Sequence, residues 1–236
     1  MSLADPAPQH EPHERGSSPS GRRLRLTFAA VLAGLLVLAG GLGLGRATAP
    51  HPALSPTTSS AEAGFARDMQ THHQQAVELS LIVYQKTDDP AIRTLSYDIA
   101  RSQSQQAGQM FGWLTAWGLP QASPEPTMSW MTRPTLSDAG SMDHSAADPG
   151  MGMAPGGAMP GYATSAQIAQ LRAAAGTAAD RLFLTLMIAH HIGGVEMADA
   201  LLARSTNTVA VDLATGIANA QAGETIYMEQ LLAAAS

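Results

Sequence analysis

The pattern of apolar and polar positions changes character three times along the chain. Leu26 to Gly45 is a run of 20 residues without a charge. That length spans a bilayer core as a helix, and Arg22, Arg23 and Arg25 just before it keep the N-terminus on the cytoplasmic side. Two later segments instead repeat their apolar positions every three or four residues. On one stripe lie Phe65, Met69, His72, Ala76 and Val83, with His73 at its edge. On the other lie Phe183, Met187, His190, Gly194, Met197 and Leu201, with His191 at its edge. Each segment precedes a second helical pattern. Ile99, Gln103, Gln106, Met110 and Trp113 share one face of the first, and Ile217, Gln221, Glu224, Met228 and Leu231 one face of the second.

Start and stop signals bound these elements. A helix is expected from Ala61 to Gln85, ending near Asp88-Asp89-Pro90. Asp89 can cap the next helix with Pro90 at its first position, and that helix runs to Trp117 and stops at Gly118-Leu119-Pro120. Thr164 with Gln167 forms a capping-box pattern for a short helix ending at Gly176. Thr177 is a start signal for the next long helix, and Ser205 to Asn207 supply the turn after it.

The two helical pairs are copies. At an offset of 118, Phe65, Met69, His72, His73, Val77 and Glu78 fall on Phe183, Met187, His190, His191, Val195 and Glu196. The same offset carries Ile99, Gln103 and Met110 onto Ile217, Gln221 and Met228. An ungapped match over about fifty residues marks an internal duplication. The expected fold is all-α: an up-down four-helix bundle of two repeated hairpins joined by a long crossover, plus one N-terminal transmembrane helix. The divisions are a disordered cytoplasmic tail (1–21), an anchor (22–46), a tether (47–61), repeat 1 (62–118), a Met/Gly/Pro-rich linker (119–163) and repeat 2 (164–236). Ala47-Thr48-Ala49 resembles a signal-peptidase site, but Pro50 follows it directly, and an uncleaved anchor is favoured.

Composition narrows the chemistry. A net charge of −6 excludes the basic face that a nucleic-acid binder needs. With no cysteine in the chain, disulfides, thiolate metal sites and Cys nucleophiles are excluded. No nucleophile elbow, His-Glu-x-x-His or phosphate-cradling loop is present, so no enzymatic activity is expected.

What remains is a set of polar groups on core-facing stripes. A lone buried histidine is usually a hydrogen-bonded structural residue. Two adjacent histidines in each of two repeats, His72-His73 and His190-His191, point instead to a metal. Met69 and Met187 stand one turn before them; Gln103, Gln221 and Glu224, with Met110 and Met228, occupy the facing helices. A buried amide without a partner costs roughly 1–3 kcal/mol. Di-iron bundles need Glu-x-x-His, which is missing, whereas imidazole with thioether suits copper as Cu(I) or Cu(II); zinc is possible. The linker adds Met142, His144, Met151 and Met153 as a secondary, flexible candidate.

These motifs resemble the bacterial domain-of-unknown-function family 305. Its pattern of Met-x-x-His-His, then Ile-x-x-x-Gln-x-x-Glu-Ile-x-x-Met, is matched by Met187, His190 and His191, then Ile217, Gln221, Glu224, Ile226 and Met228. The first copy matches at Met69, His72, His73, Ile99, Gln103 and Met110, with Gln106 where the family has Glu. The resemblance implies an exported, ferritin-like four-helix bundle and copper binding. The resulting expectation is a single-pass protein of the bacterial cytoplasmic membrane, N-terminus inside, binding copper on the outer side. The alternative is a metal-free interaction bundle with a buried His–Gln/Glu network. A metal-dependent redox enzyme is a weaker third reading.

Overall fold

The computed structural model describes residues 31–42, 55–138 and 156–235. The chain divides into two units, Met1–Pro52 and Ala53–Ser236. In the first, helix α1 covers 31–42, and Leu32, Leu35, Leu36, Val37 and Leu38 are exposed on it. Among the described residues no helix is long and apolar enough to cross a membrane. The tail, the arginines before the run and the rest of the expected anchor lie outside the described residues.

Every regular element described in the second unit is helical: α2 (Ala61–Tyr84), α3 (Pro90–Ala116), a 3₁₀ turn (Ser129–Thr132), α4 (Ser165–Ala173), α5 (Gly176–Leu202) and α6 (Thr208–Ala234). Local chemistry sets the boundaries. Ser60, Asp89 and Asn207 each accept a backbone N–H of the helix they cap, and Pro90 opens α3. Thr164 and Gln167 form the full capping box of α4. Helix α3 ends at Ala116, and Gly118 just beyond it has a φ of +69°, the left-handed turn that favours glycine. Helix α5 begins at Gly176, one residue before the expected Thr177, with no side-chain cap.

Helix α2 packs on α3, α5 on α6, and α2 on α5. Two apolar clusters show how. One joins Phe65 and Met69 of α2 and Met110 and Leu114 of α3 to Met197 and Leu201 of α5 and Ala214 and Ile217 of α6. The other joins Phe183 and Met187 of α5 and Met228 of α6 to Leu79 and Val83 of α2 and Ile92 and Ile99 of α3. The start of α2 therefore lies beside the end of α5, and the reverse holds at the other end, so the two helices are antiparallel. The 118-residue offset becomes an approximate two-fold relation, and each cluster draws members from both repeats.

Parts of the described linker pack on the helices. Trp130 and Met128 are buried in the first cluster, and Trp130 meets Phe65 edge-on at 5.8 Å. Gly64 makes room for the indole: any Cβ there would overlap the Trp130 side chain. Asp68 accepts hydrogen bonds from the Met128 N–H at 2.7 Å and the Trp130 indole N–H at 3.0 Å. Burial pushes its carboxyl pKa up, and these two bonds oppose that rise. On the return side, Gln75 grips the backbone of Ala163 with both ends of its amide, at 2.8 and 2.6 Å.

Candidate functional site

The four histidines of the two His-His pairs are fully buried. They form a polar layer between the two apolar clusters, at the level where α2 and α5 cross. A helical wheel puts His73 and His191 at the edge of their stripes. The structure buries them because α2 and α5 are the inner pair, covered on several sides and not on one face. The rings of His72 and His190 face each other, with centroids 3.7 Å apart and planes tilted by 32°.

Each ring but one is held through Nε2. The His72 Nε2–H donates to the Pro160 carbonyl at 3.0 Å, the His73 Nε2–H to Gln106 Oε1 at 2.7 Å, and the His191 Nε2–H to Glu224 Oε2 at 2.7 Å. Carbonyl and carboxylate oxygens only accept, so each of these rings carries a proton on Nε2, and in the neutral rings of His72 and His73 Nδ1 is a bare lone pair. All three Nδ1 atoms are buried without a partner, and so are both nitrogens of His190. The amide oxygen and nitrogen of Gln103 and of Gln221 are likewise unpartnered, although these side chains are only 2% and 3% exposed.

Burial keeps the His72, His73 and His190 rings neutral. It lowers His72 to about 4, against the Pro160 hydrogen bond, and His73 to about 3, with the neighbouring His72 adding to the fall. His190 is lowered well below the usual imidazole range by burial and then by His72, His191 and His73. At neutral pH His72, His73 and His190 thus offer unprotonated nitrogen donors. Among the described residues, however, no three His, Asp or Glu side chains are arranged to hold a metal as they stand. The direct contact of His72 and His190 is one geometric reason, since a shared ion needs the rings apart.

The structure brings His72, His73, His190, His191, Gln106 and Glu224 into one layer. It places Met69 and Met110 in the first apolar cluster and Met187 and Met228 in the second. Met142, His144, Met151 and Met153 lie outside the described residues. The space beside Gly194 is taken by Gln221, whose Oε1 a Cβ would overlap.

Three contributors, Pro160, Gly161 and Tyr162, escaped the sequence reading. Pro160 lies across Gly193 and holds His72, and Gly161, at φ +66°, passes close to the Ala189 carbonyl. Tyr162 stands 6.2 Å from the His72 ring and 6.4 Å from that of His190. The available signal was the repeat itself. Gly193 stands where repeat 1 has Gln75, and both positions serve the same strap of linker, Pro160 to Ala163.

A duplicated helical hairpin enclosing a histidine layer defines the class. The chain belongs to the DUF305 family, a domain of unknown function, whose pattern it matches over residues 62–232. No curated protein sequence matches the chain. Among solved structures it is similar to a DUF305 protein from Streptomyces coelicolor described as secreted. That protein is 43% identical, with 76% of this chain and 96% of that one covered and a TM-score of 0.64. A DUF305 fragment from Deinococcus radiodurans is 29% identical over 73% of this chain and 95% of its own, with a TM-score of 0.55. CopM in its Cu(II)-bound form shares the fold at 22% identity, covering 73% of this chain and 95% of that one, with a TM-score of 0.52.

Proposed function

We propose that this chain binds copper on the outer side of the bacterial cytoplasmic membrane, anchored by its N-terminal apolar run, in a binding and not a catalytic role. The observation that carries the reading is the set of buried, unpartnered Nδ1 atoms on His72, His73 and His191, beside the wholly unpartnered His190. A ring whose Nε2–H is fixed by a carbonyl or carboxylate and whose Nδ1 is bare is the usual state of a metal-ligating histidine. Gln106, Glu224 and Pro160 act here as the orienting groups. Gln103 and Gln221 supply further oxygen donors, and the Met69, Met110, Met187 and Met228 thioethers flank the layer as soft donors. The linker residues Met142, His144, Met151 and Met153 serve as a secondary capture site. The fold shared with CopM, which was solved with Cu(II) bound, is in keeping with this reading, as is export of the Streptomyces coelicolor relative. Zinc is the competing ion.

The test is copper uptake by the full-length chain, with and without His72, His73, His190 and His191 replaced by alanine. Copper at about a hundred times its Kd should stabilise the wild-type fold by about 2.7 kcal/mol through mass action. Unchanged copper stoichiometry in the alanine variant, with its helicity retained, refutes the reading.

One observation favours a second reading. Three of the four rings already have a hydrogen-bond partner, so the layer fixes the register of the helices without metal. That reading predicts no copper uptake by the wild type and a large loss of stability in the alanine variant.

A further inference from the structure

We propose that two copies of this chain pair through the outer face of the first hairpin, α3 against α3, about a two-fold axis at Ser104. The proposal concerns the outside of the bundle and does not depend on the metal-binding reading.

A groove runs along this face between α2 and α3. Its two halves are hollows of about 510 and 340 Å³. Val77 of α2 and Ser104 of α3 line both hollows, so they mark the middle of the groove. Tyr97 lines one half and Phe111 the other, 47% and 54% exposed. Between them α3 presents small residues, Ala100, Ser104 and Gly108. At Gly108 a Cβ would meet nothing within 4 Å.

The hairpin itself does not require this surface, and the duplication shows it. At the offset of 118, repeat 2 has Thr215 for Tyr97, Glu229 for Phe111 and Asp199 for the exposed Leu81. Ile226 stands where Gly108 leaves its gap. The second hairpin thus forms with acids at two of the positions where the first exposes large apolar groups. Those groups answer to something outside the fold.

The spacing along α3 fits a second copy of the same face. A two-fold contact is self-complementary: if residue i of one copy meets j of the other, j also meets i. Tyr97 and Phe111 each lie seven residues from Ser104, and Ala100 and Gly108 each lie four. Two antiparallel α3 helices crossing at Ser104 therefore lay Tyr97 on Phe111 of the second copy, and Ala100 on its Gly108. Seven-residue steps keep one face turned toward a partner helix. Small side chains at the crossing let the backbones approach, and the hollows receive the aromatic rings. Charge agrees. Arg101, stacked on Tyr97 at 5.6 Å, is the one charged residue lining the groove among the described residues. It lies three residues from Ser104, so the axis sets it against Ala107 and not against a second Arg101.

The face is about 21 Å long from Tyr97 to Phe111 and two helices, about 20 Å, wide. A footprint of about 400 Å² per copy is below the roughly 800 Å² of a standard interface, so the pairing is concentration-dependent.

The chain has no cysteine, so single cysteines in the full-length chain report the contact. Ser104→Cys should form covalent dimers with a short bis-maleimide. A mixture of Tyr97→Cys and Phe111→Cys should cross-link between the two variants more than within either. Ala222→Cys, the equivalent of position 104 in repeat 2, should not cross-link. Phe111→Glu, which copies repeat 2, should keep its helicity and weaken pairing in sedimentation by at least about tenfold, the loss expected for an aromatic anchor. If that variant loses helicity, Leu81→Asp, taken from the same comparison, replaces it. A chain that sediments as a monomer at every concentration overturns the proposal. So does a dimer that survives Phe111→Glu unchanged, as one held by the N-terminal apolar run would. Cross-linking between positions 104 and 222 would mark head-to-tail contact and overturns the two-fold pairing.

Discussion

Replacing Gly193 with alanine adds one methyl group at the crossing point of α5 and the linker strap. In an exposed helix interior this change stabilises a protein by about 0.5–1 kcal/mol, because glycine loses more backbone freedom on folding. Position 193 reverses the sign. The new Cβ would sit 2.8 Å from the Pro160 Cβ and closer still to its carbonyl carbon and oxygen. Backbone, not the tip of a flexible side chain, is in the way, so the strap must lift. Lifting it breaks the His72–Pro160 hydrogen bond and strains the grip of Gln75 on Ala163. One buried donor left unpaired costs about 1–3 kcal/mol, which exceeds the helical gain. The expected outcome is a net destabilisation of about 1–2 kcal/mol. The control is Gly216→Ala in α6, where a Cβ meets nothing within 4 Å and the helical gain stands alone. Urea unfolding of both variants beside the wild type measures the pair. If Gly193→Ala stabilises the chain as much as Gly216→Ala does, the strap does not press on α5 and its account here is wrong.

The pH dependence of stability follows from the lowered His72 and His73 values of about 4 and about 3. The unfolded chain binds these protons from about pH 6.5 downward and the folded chain does not. Stability is therefore full above about pH 6.5 and falls toward pH 4 by up to about 1.4 kcal/mol per pH unit for each ring. Urea midpoints that stay level from pH 7 to pH 4.5 contradict neutral buried rings. Replacing Gln103 and Gln221 together by leucine should raise the metal-free melting temperature, since it removes unpartnered amides from the interior, while weakening copper retention. A metal-free melting temperature that falls would show that the amides are satisfied in solution.

Much of the fold is legible in the sequence because its signals are local. Asp89-Pro90, Asn207 and the Thr164/Gln167 box cap helices through residues within one turn, and the structure keeps each of them. The His-His pairs are legible because the duplication displays them twice. The pairing of each histidine across its hairpin was half legible: Gln106 and Glu224 lie on the inward stripes, but nothing in a wheel says which ring they reach. The full burial of His73 and His191 was not legible, since a wheel assumes one buried face and α2 is buried nearly all round, including Arg67, Asp68 and Gln75. The linker was read from its composition, and composition hides single anchors such as Trp130 and Tyr162. Comparing the repeats position by position would have exposed two of the contacts. Gly64 stands against Leu182, and Gly193 against Gln75, and each glycine marks a place where the linker comes down on a helix.

The unpartnered atoms also bear on which functional reading stands closer to the structure. A network that only fixes helix register needs satisfied bonds, and His73–Gln106 and His191–Glu224 provide them at 2.7 Å. It has no use for the amides of Gln103 and Gln221, whose four polar atoms have no hydrogen-bond partner. Nor does it use both nitrogens of His190. Each such atom costs about 1 kcal/mol or more, and a domain has only about 5–15 kcal/mol of net stability to set against the total. Leucine at these positions would extend the apolar clusters on either side without that penalty. The clusters themselves are interlocked, each drawing Phe, Met and Leu from both repeats, so the fold does not depend on polar bonds to choose its register. The register is already set by which half-helices complete each other. What the polar layer adds is a set of oriented, proton-free donors at the one level where the two repeats meet, and a metal ion is the ligand that such donors accept in common.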